Sequence, residues 1–280
     1  MIYRKVDLYD FYNIKRQGNE KGILTIYCRS NNIEVNIDRK YPGILVCPGG
    51  GYFFTSFREE EPIALKLIEH NVQAFVLEYS CFNDGMYPQQ FLEGYLARKY
   101  IHEHKDEFML DETKLGVMGF SAGGHFAGLL SNNHCKDIFK EFSKDLPNFA
   151  FGAYIYPVNY YEREGAHKDS FINLTHNNEN LLKTLDFDQM INKESPIGFI
   201  VSSFEDDAVG YKNSLDLAKA YSNINVPFEL HIFNHGKHGI SLGDENVYKK
   251  SDCSLYKEIF GTWIDMFFNF LKTNKVEIND

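Results

Sequence analysis

The sequence predicts an α/β fold with a mostly parallel central sheet and helices on both of its faces. Three observations carry this expectation. Short apolar runs alternate along the chain with longer segments whose apolar residues recur at helical spacing. The short runs are apolar at nearly every position, as strands covered on both faces require. The chain has 280 residues, 44% of them hydrophobic and 24% charged, with 24 Phe and 18 Tyr, so a sizeable core can be built.

In chain order, short runs at 24–27 and 33–37 are expected to form an antiparallel edge. Buried strands are expected at 43–47 (GILVC), 74–79 (AFVLEY), 115–120 (LGVMGF), 149–157 (FAFGAYIYP), 197–202 (IGFIVS) and 228–233 (FELHIF). Helices are expected at 59–70, 88–105, 122–131, 211–222 and 252–272. Ser56 and Glu59 have the S-x-x-E form of a capping box before the first of these. Alternation of strand and helix implies right-handed crossovers between parallel strands. Without a repeat or a low-complexity linker, residues 1–280 read as one domain. Residues 159–195 break the rhythm with a polar, irregular stretch containing a helix near 180–191. An insertion placed after a strand is expected to act as a small lid or cap over the site.

The formal net charge is −10, which disfavours nucleic acid and anionic membranes as partners. The N-terminal residues carry charges throughout and show no signal-peptide pattern, and no apolar run is long enough to span a bilayer. Five widely spaced cysteines without a C-x-x-C pair suit reduced thiols, so a cytoplasmic location is expected. Metal-ligand spacing is lacking as well, and neither a metal nor an organic cofactor is expected.

Four motifs carry chemistry. Gly119-Phe120-Ser121-Ala122-Gly123-Gly124 follows an apolar β run and precedes a helix, matching G-x-S-x-G. That spacing holds a serine on a tight strand-to-helix turn, where flanking side chains would collide with neighbouring backbone and the hydroxyl stands exposed as a nucleophile. Cys47-Pro48-Gly49-Gly50-Gly51-Tyr52 follows another strand. Its bare backbone N–H groups can approach a ligand, so Gly50 or Gly51, with Ala122, are candidate oxyanion donors. Glu205-Asp206-Asp207 follows the fifth buried strand, where an acid can orient an imidazole. Three adjacent carboxylates leave that assignment open. His235 and His238 follow the sixth, and His238, flanked by Gly236 and Gly239, is the better candidate for the base. His125 lies one helical turn beyond Ser121 and reads as structural. All four motifs fall at the C-terminal ends of expected strands, where open α/β sheets bind ligands.

With these residues in view, the chain resembles the bacterial acetylesterase and acetyl-xylan-esterase-like group of the α/β-hydrolase superfamily, relatives of hormone-sensitive-lipase-type esterases. The resemblance rests on PGGGY (48–52), REEEPIAL (58–65), VLEYS (76–80), YPQQ (87–90), GFSAGGH (119–125), DAVGYKNSL (207–215) and PFELHIFNHGKHGISLG (227–243). It implies an α/β-hydrolase fold and a Ser-His-Asp triad in the chain order Ser121, Asp206, His238. Counting back from Asn213-Ser214 places the family's acid on Asp206, with Asp207 as the alternative because the loop carries three acids in a row. Gly210 stands where the group commonly has Pro, and the oxyanion motif begins Pro-Gly rather than His-Gly.

The implied activity is hydrolysis of a small-molecule carboxylic ester with a short, acetyl-sized acyl group, on a sugar or oligosaccharide, through an acyl-enzyme. Two readings compete. Prolyl-oligopeptidase-type peptidases share the domain and triad but usually carry a large extra domain, for which 280 residues leave no room. An inactive binding module would typically have lost one of the catalytic groups. The sequence leaves acyl length and assembly into a homo-oligomer open.

Overall fold

The computed structural model describes residues 1–249 and 256–276. Among them, eight strands form one sheet: β1 (Ile2–Asp7), β2 (Ile23–Cys28), β3 (Tyr41–Cys47), β4 (Gln73–Glu78), β5 (Leu110–Phe120), β6 (Phe151–Ile155), β7 (Ile197–Ser203) and β8 (Phe228–Phe233). The spatial order is β1-β2-β4-β3-β5-β6-β7-β8. The pairs β1–β2 and β2–β4 are antiparallel, and every pair from β4 to β8 is parallel. The helices are α1 (Leu8–Phe11), α2 (Glu61–Glu69), α3 (Gln89–Glu103), α4 (Ala122–Ser131), α5 (Lys140–Ser143), α6 (Lys168–Thr175), α7 (Glu179–Leu182), α8 (Lys212–Asn223) and α9 (Trp263–Thr273).

The continuous apolar runs explain the layering. Successive side chains of a strand point to opposite faces, so a run such as Ile44-Leu45-Val46-Cys47 feeds two cores at once. Leu45 and Cys47 join a cluster with Phe91, Leu96, Phe126 and Leu217, from α3, α4 and α8. Ile44 and Val46 join another with Ile63, Leu67, Trp263 and Phe267, from α2 and α9. Among the described residues no helix is long and apolar enough to cross a membrane.

Several expectations at the periphery are corrected. Residues 33–37 form no strand. Ile33, Val35 and Ile37 face solvent, and Asn32 and Asn36 accept bonds from the N–H groups of Glu34 and Asp38, the local turns that Asn favours. The edge partner of β2 is β1 instead. Its alternating exposed residues, Tyr3 among them, give an edge strand a weak apolar signal. The expected capping box does not form either: Ser56 makes no side-chain cap bond, and Glu59 turns inward toward the glycine loop. The helix expected near 180–191 is only the single turn of α7 and a 3-10 turn at Phe187–Gln189, while the longest helix of that segment is α6. Of the helix expected at 252–272, residues 252–255 lie outside the described residues, 256–258 are helical, and a 3-10 turn at Phe260–Thr262 separates them from α9.

One buried carboxylate links stability to pH. Glu93 on α3 accepts bonds from Ser80 N at 2.6 Å, from the Ser80 hydroxyl and from Tyr9 Oη at 3.1 Å. Burial nevertheless pushes its pKa up from 4.5 to about 7. The folded chain then holds a proton that the unfolded chain releases, so this group's stabilisation is complete below pH 4.5 and lost as pH rises through 7. The loss amounts to about 3 kcal/mol. Denaturant unfolding between pH 4.5 and 8 should show wild type losing about this much more stability than Glu93→Gln; parallel curves would refute the linkage.

Candidate active site

The site is assembled where β3, β5, β7 and β8 end. Ser121 follows β5 directly and immediately precedes α4, and its backbone adopts φ 52° and ψ −121°. This left-handed conformation costs a non-glycine residue about 1–3 kcal/mol and persists only where its surroundings enforce it. Here Ser121 N donates to Ile155 O at 2.9 Å, while Ser121 O accepts from Gly124 N at 2.9 Å and from Val158 N at 3.1 Å. The flanking glycines are required by close approach. A Cβ on Gly119 would lie 2.1 Å from Gly123 O, and one on Gly123 would lie 2.1 Å from Cys47 O.

The structure brings three sequence-predicted residues together. Ser121 Oγ lies 2.7 Å from His238 Nε2, and His238 Nδ1 lies 2.7 Å from Asp206 Oδ2. With the imidazole proton on Nδ1, His238 donates a hydrogen bond to Asp206 and Nε2 is free to accept from the serine hydroxyl. The side chain of Asp206 is 1% exposed and that of His238 is 20% exposed. Asp206 Oδ1 is held by the N–H groups of Ala208 (3.1 Å) and Val209 (2.8 Å), which leaves Oδ2 aimed at the ring. Asp207 is exposed and apart from this chain of contacts. His235 pairs with Glu205 at the surface at 2.8 Å. His125 is buried, with Nδ1 2.8 Å from Tyr52 Oη and Nε2 2.6 Å from Leu185 O. Its burial lowers its pKa to about 4, so it stays neutral beneath the turn.

The glycine loop is tied down through its carbonyls. Gly49 O accepts from Ser56 N, Gly50 O from Phe53 N and Phe54 N, and Gly51 O from Asn173 Nδ2 at 2.9 Å. Gly49 N donates to Glu59 Oε2 at 2.7 Å. Among the described residues the N–H groups of Gly50, Gly51 and Ala122 have no hydrogen-bond partner. Gly50, Gly51, Ser121 and His238 line one cavity of about 330 Å³, together with Phe53, Arg58, His167 and Asn173.

Residues 26–221 match the model of the BD-FAE family. The chain belongs to the BD-FAE family. It is 29% identical over 221 residues to endo-1,4-beta-xylanase B of Butyrivibrio fibrisolvens, covering 76% of this chain and 34% of that one. It is 25% identical over 229 residues to the acetylxylan esterase of Xylanibacter ruminicola, covering 79% and 45%. The chain therefore spans between a third and a half of the length of these curated relatives. The crystal structure of an acetyl ester-xyloside bifunctional hydrolase from Caldicellulosiruptor lactoaceticus superposes with a TM-score of 0.71 at 30% identity, covering 88% of each chain. These likenesses establish the α/β-hydrolase fold.

Within this BD-FAE frame, sequence reasoning missed Glu59 and Tyr156. Tyr156 Oη donates to Glu59 Oε1 at 2.7 Å and accepts from Ser241 N at 3.0 Å. The buried carboxylate thus joins the glycine loop, the end of β6 and the loop carrying His238. Burial raises its pKa, opposed by the bonds from Tyr156 and Gly49. The signal was present in the Arg58-Glu59-Glu60-Glu61 run, but no linear pattern tells an inward-turned Glu from a helix cap. His167 and Asn173, which line the cavity from the 159–195 segment, carry no motif at all.

Proposed function

We propose that this chain is a serine carboxylesterase that removes short acyl groups, acetyl above all, from sugars or oligosaccharides. The observation that carries the reading is the unbroken chain of contacts from Ser121 Oγ through His238 to Asp206, both steps 2.7 Å, beside the N–H groups of the glycine loop. The activities of the relatives, acetylxylan esterase and acetyl ester-xyloside hydrolase, support the choice of ester.

In this mechanism Ser121 attacks the ester carbonyl as His238 Nε2 takes its proton. The carbonyl oxygen gains charge beside Ala122 N and Gly50 or Gly51 N, where fixed dipoles and the N-terminus of α4 stabilise it. Protonated by His238, the alcohol leaves. Water, deprotonated by the same ring, then cleaves the acyl-Ser121 ester and releases the acid. Asp206 holds the ring and stabilises its cation. Residues 159–195 act as a cap, walling the cavity through His167 and Asn173.

A cavity of about 330 Å³ is at the small end for ligand sites and has to receive both acyl group and alcohol, which favours short acyl chains. Hydrolysis of p-nitrophenyl acetate, butyrate and octanoate tests this. We expect kcat/KM to fall by about tenfold or more from acetate to octanoate, since each misfit methylene costs on the order of 1 kcal/mol or more. A preference for octanoate would overturn the short-acyl assignment.

A further inference from the structure

A second and larger cavity, of about 520 Å³, opens beside the serine cavity and is lined by none of the catalytic candidates. Its walls come from residues 17–20, the loop 82–89 after β4, and His176 just beyond α6. Because β3 and β4 are parallel neighbours, the loop after β4 emerges at the same rim as the glycine loop after β3. The two loops are joined directly, by Phe82 N donating to Tyr52 O at 2.8 Å.

The partition between the cavities is a row of rings. Phe53, which is more than half exposed, lines the serine cavity. It stacks on Phe82 of the second cavity at 6.1 Å and 27°, and Phe82 stacks on His176 at 4.9 Å and 28°. Around this apolar wall the second cavity presents polar groups: Glu20, Asn83, Asp84 and Gln89. The Glu20 carboxylate anchors the opposite wall by accepting from Gln17 N at 3.1 Å and Gly18 N at 2.7 Å. Asp84 reaches Lys21 at 3.4 Å. His176 Nε2 is shielded from solvent and has no hydrogen-bond partner among the described residues.

Aromatic side chains beside carboxylates and amides suit a neutral polyhydroxylated ring. Such a ring offers apolar C–H faces to the aromatic wall and hydroxyls to everything else. We propose that this cavity is a distal glycosyl subsite: it holds sugar rings of an oligosaccharide whose acyl ester lies at Ser121, across the Phe53–Phe82 partition. This deepens the esterase reading and rests on it for the position of the ester. It makes chain length, not the acetylated ring alone, a determinant of affinity.

The test separates binding from catalysis. Unacetylated xylo-oligosaccharides of one to six units are titrated calorimetrically into Ser121→Ala protein, which binds without turnover. Affinity should rise by about tenfold between one and four units. Phe82→Ala in the same background should abolish that rise. Because Phe82 also packs against Phe53, His176→Ala is run beside it and should reduce the rise as well. Affinity independent of length, or a rise that both variants leave intact, would overturn the subsite. Wild-type protein is assayed in parallel on p-nitrophenyl acetate. Absence of hydrolysis there would remove the esterase reading, while the titrations still report whether the cavity holds sugar.

Discussion

Ser121→Ala should lower kcat for p-nitrophenyl acetate by on the order of 10⁴- to 10⁶-fold, as removal of a nucleophile that works as part of a triad does. No neighbouring group can take over. His238 Nε2 faces the vacated position with nothing to deprotonate but water, and His125 has both ring nitrogens engaged. The substitution deletes one oxygen and keeps the Cβ, so the backbone at φ 52° is strained equally in both proteins. Stability by denaturant unfolding should therefore change by less than about 1 kcal/mol. Activity within tenfold of wild type would refute the assignment of the nucleophile, and a large loss of stability would make the rate uninterpretable as chemistry.

Asp206→Asn should lower kcat by about 10⁴-fold, whereas Asp207→Asn should leave it within about twofold. The Asp206 carboxylate receives Ala208 N and Val209 N on Oδ1 and offers Oδ2 to His238 Nδ1. An Asn here, with its oxygen still accepting the two backbone N–H groups, turns its NH₂ toward Nδ1. Nδ1 then has to accept, the ring proton moves to Nε2, and Nε2 can no longer take a proton from Ser121. Asp207, one residue on, is exposed and does not face the ring. Steady-state kinetics on both variants decide the matter; the reverse order of effects would move the acid to Asp207.

Much of the scaffold was legible because it depends on local patterns. Five of the six expected buried strands, β3 to β7, announce themselves as apolar runs, whereas β8 is the sheet's other edge and has no fully buried residue. α4 begins at the residue its motif implies, since G-x-S-x-G encodes a turn whose tightness forbids side chains at 119 and 123. Where apolar signal is weak, legibility failed. β1 is an edge strand with two of its six residues exposed and only one buried, and its pattern resembles a charged loop. Residues 33–37 alternate like a strand, yet three asparagines between 31 and 36 turn the chain back on itself.

Which residue types the site uses was set by the sequence alone: a serine between glycines, a glycine run after a strand, an acid cluster and a glycine-flanked histidine, each at the C-terminal end of a strand. Tertiary structure decided which acid of three is buried against His238, that Gly49 N is occupied by Glu59 so that Gly50 and Gly51 remain, and that Tyr156 ties two loops together. The physical reason is one of range. Turn geometry and strand burial depend on neighbours a few residues away, whereas burial of Asp206 and of Glu59 depends on segments far apart in the chain meeting at one rim of the sheet.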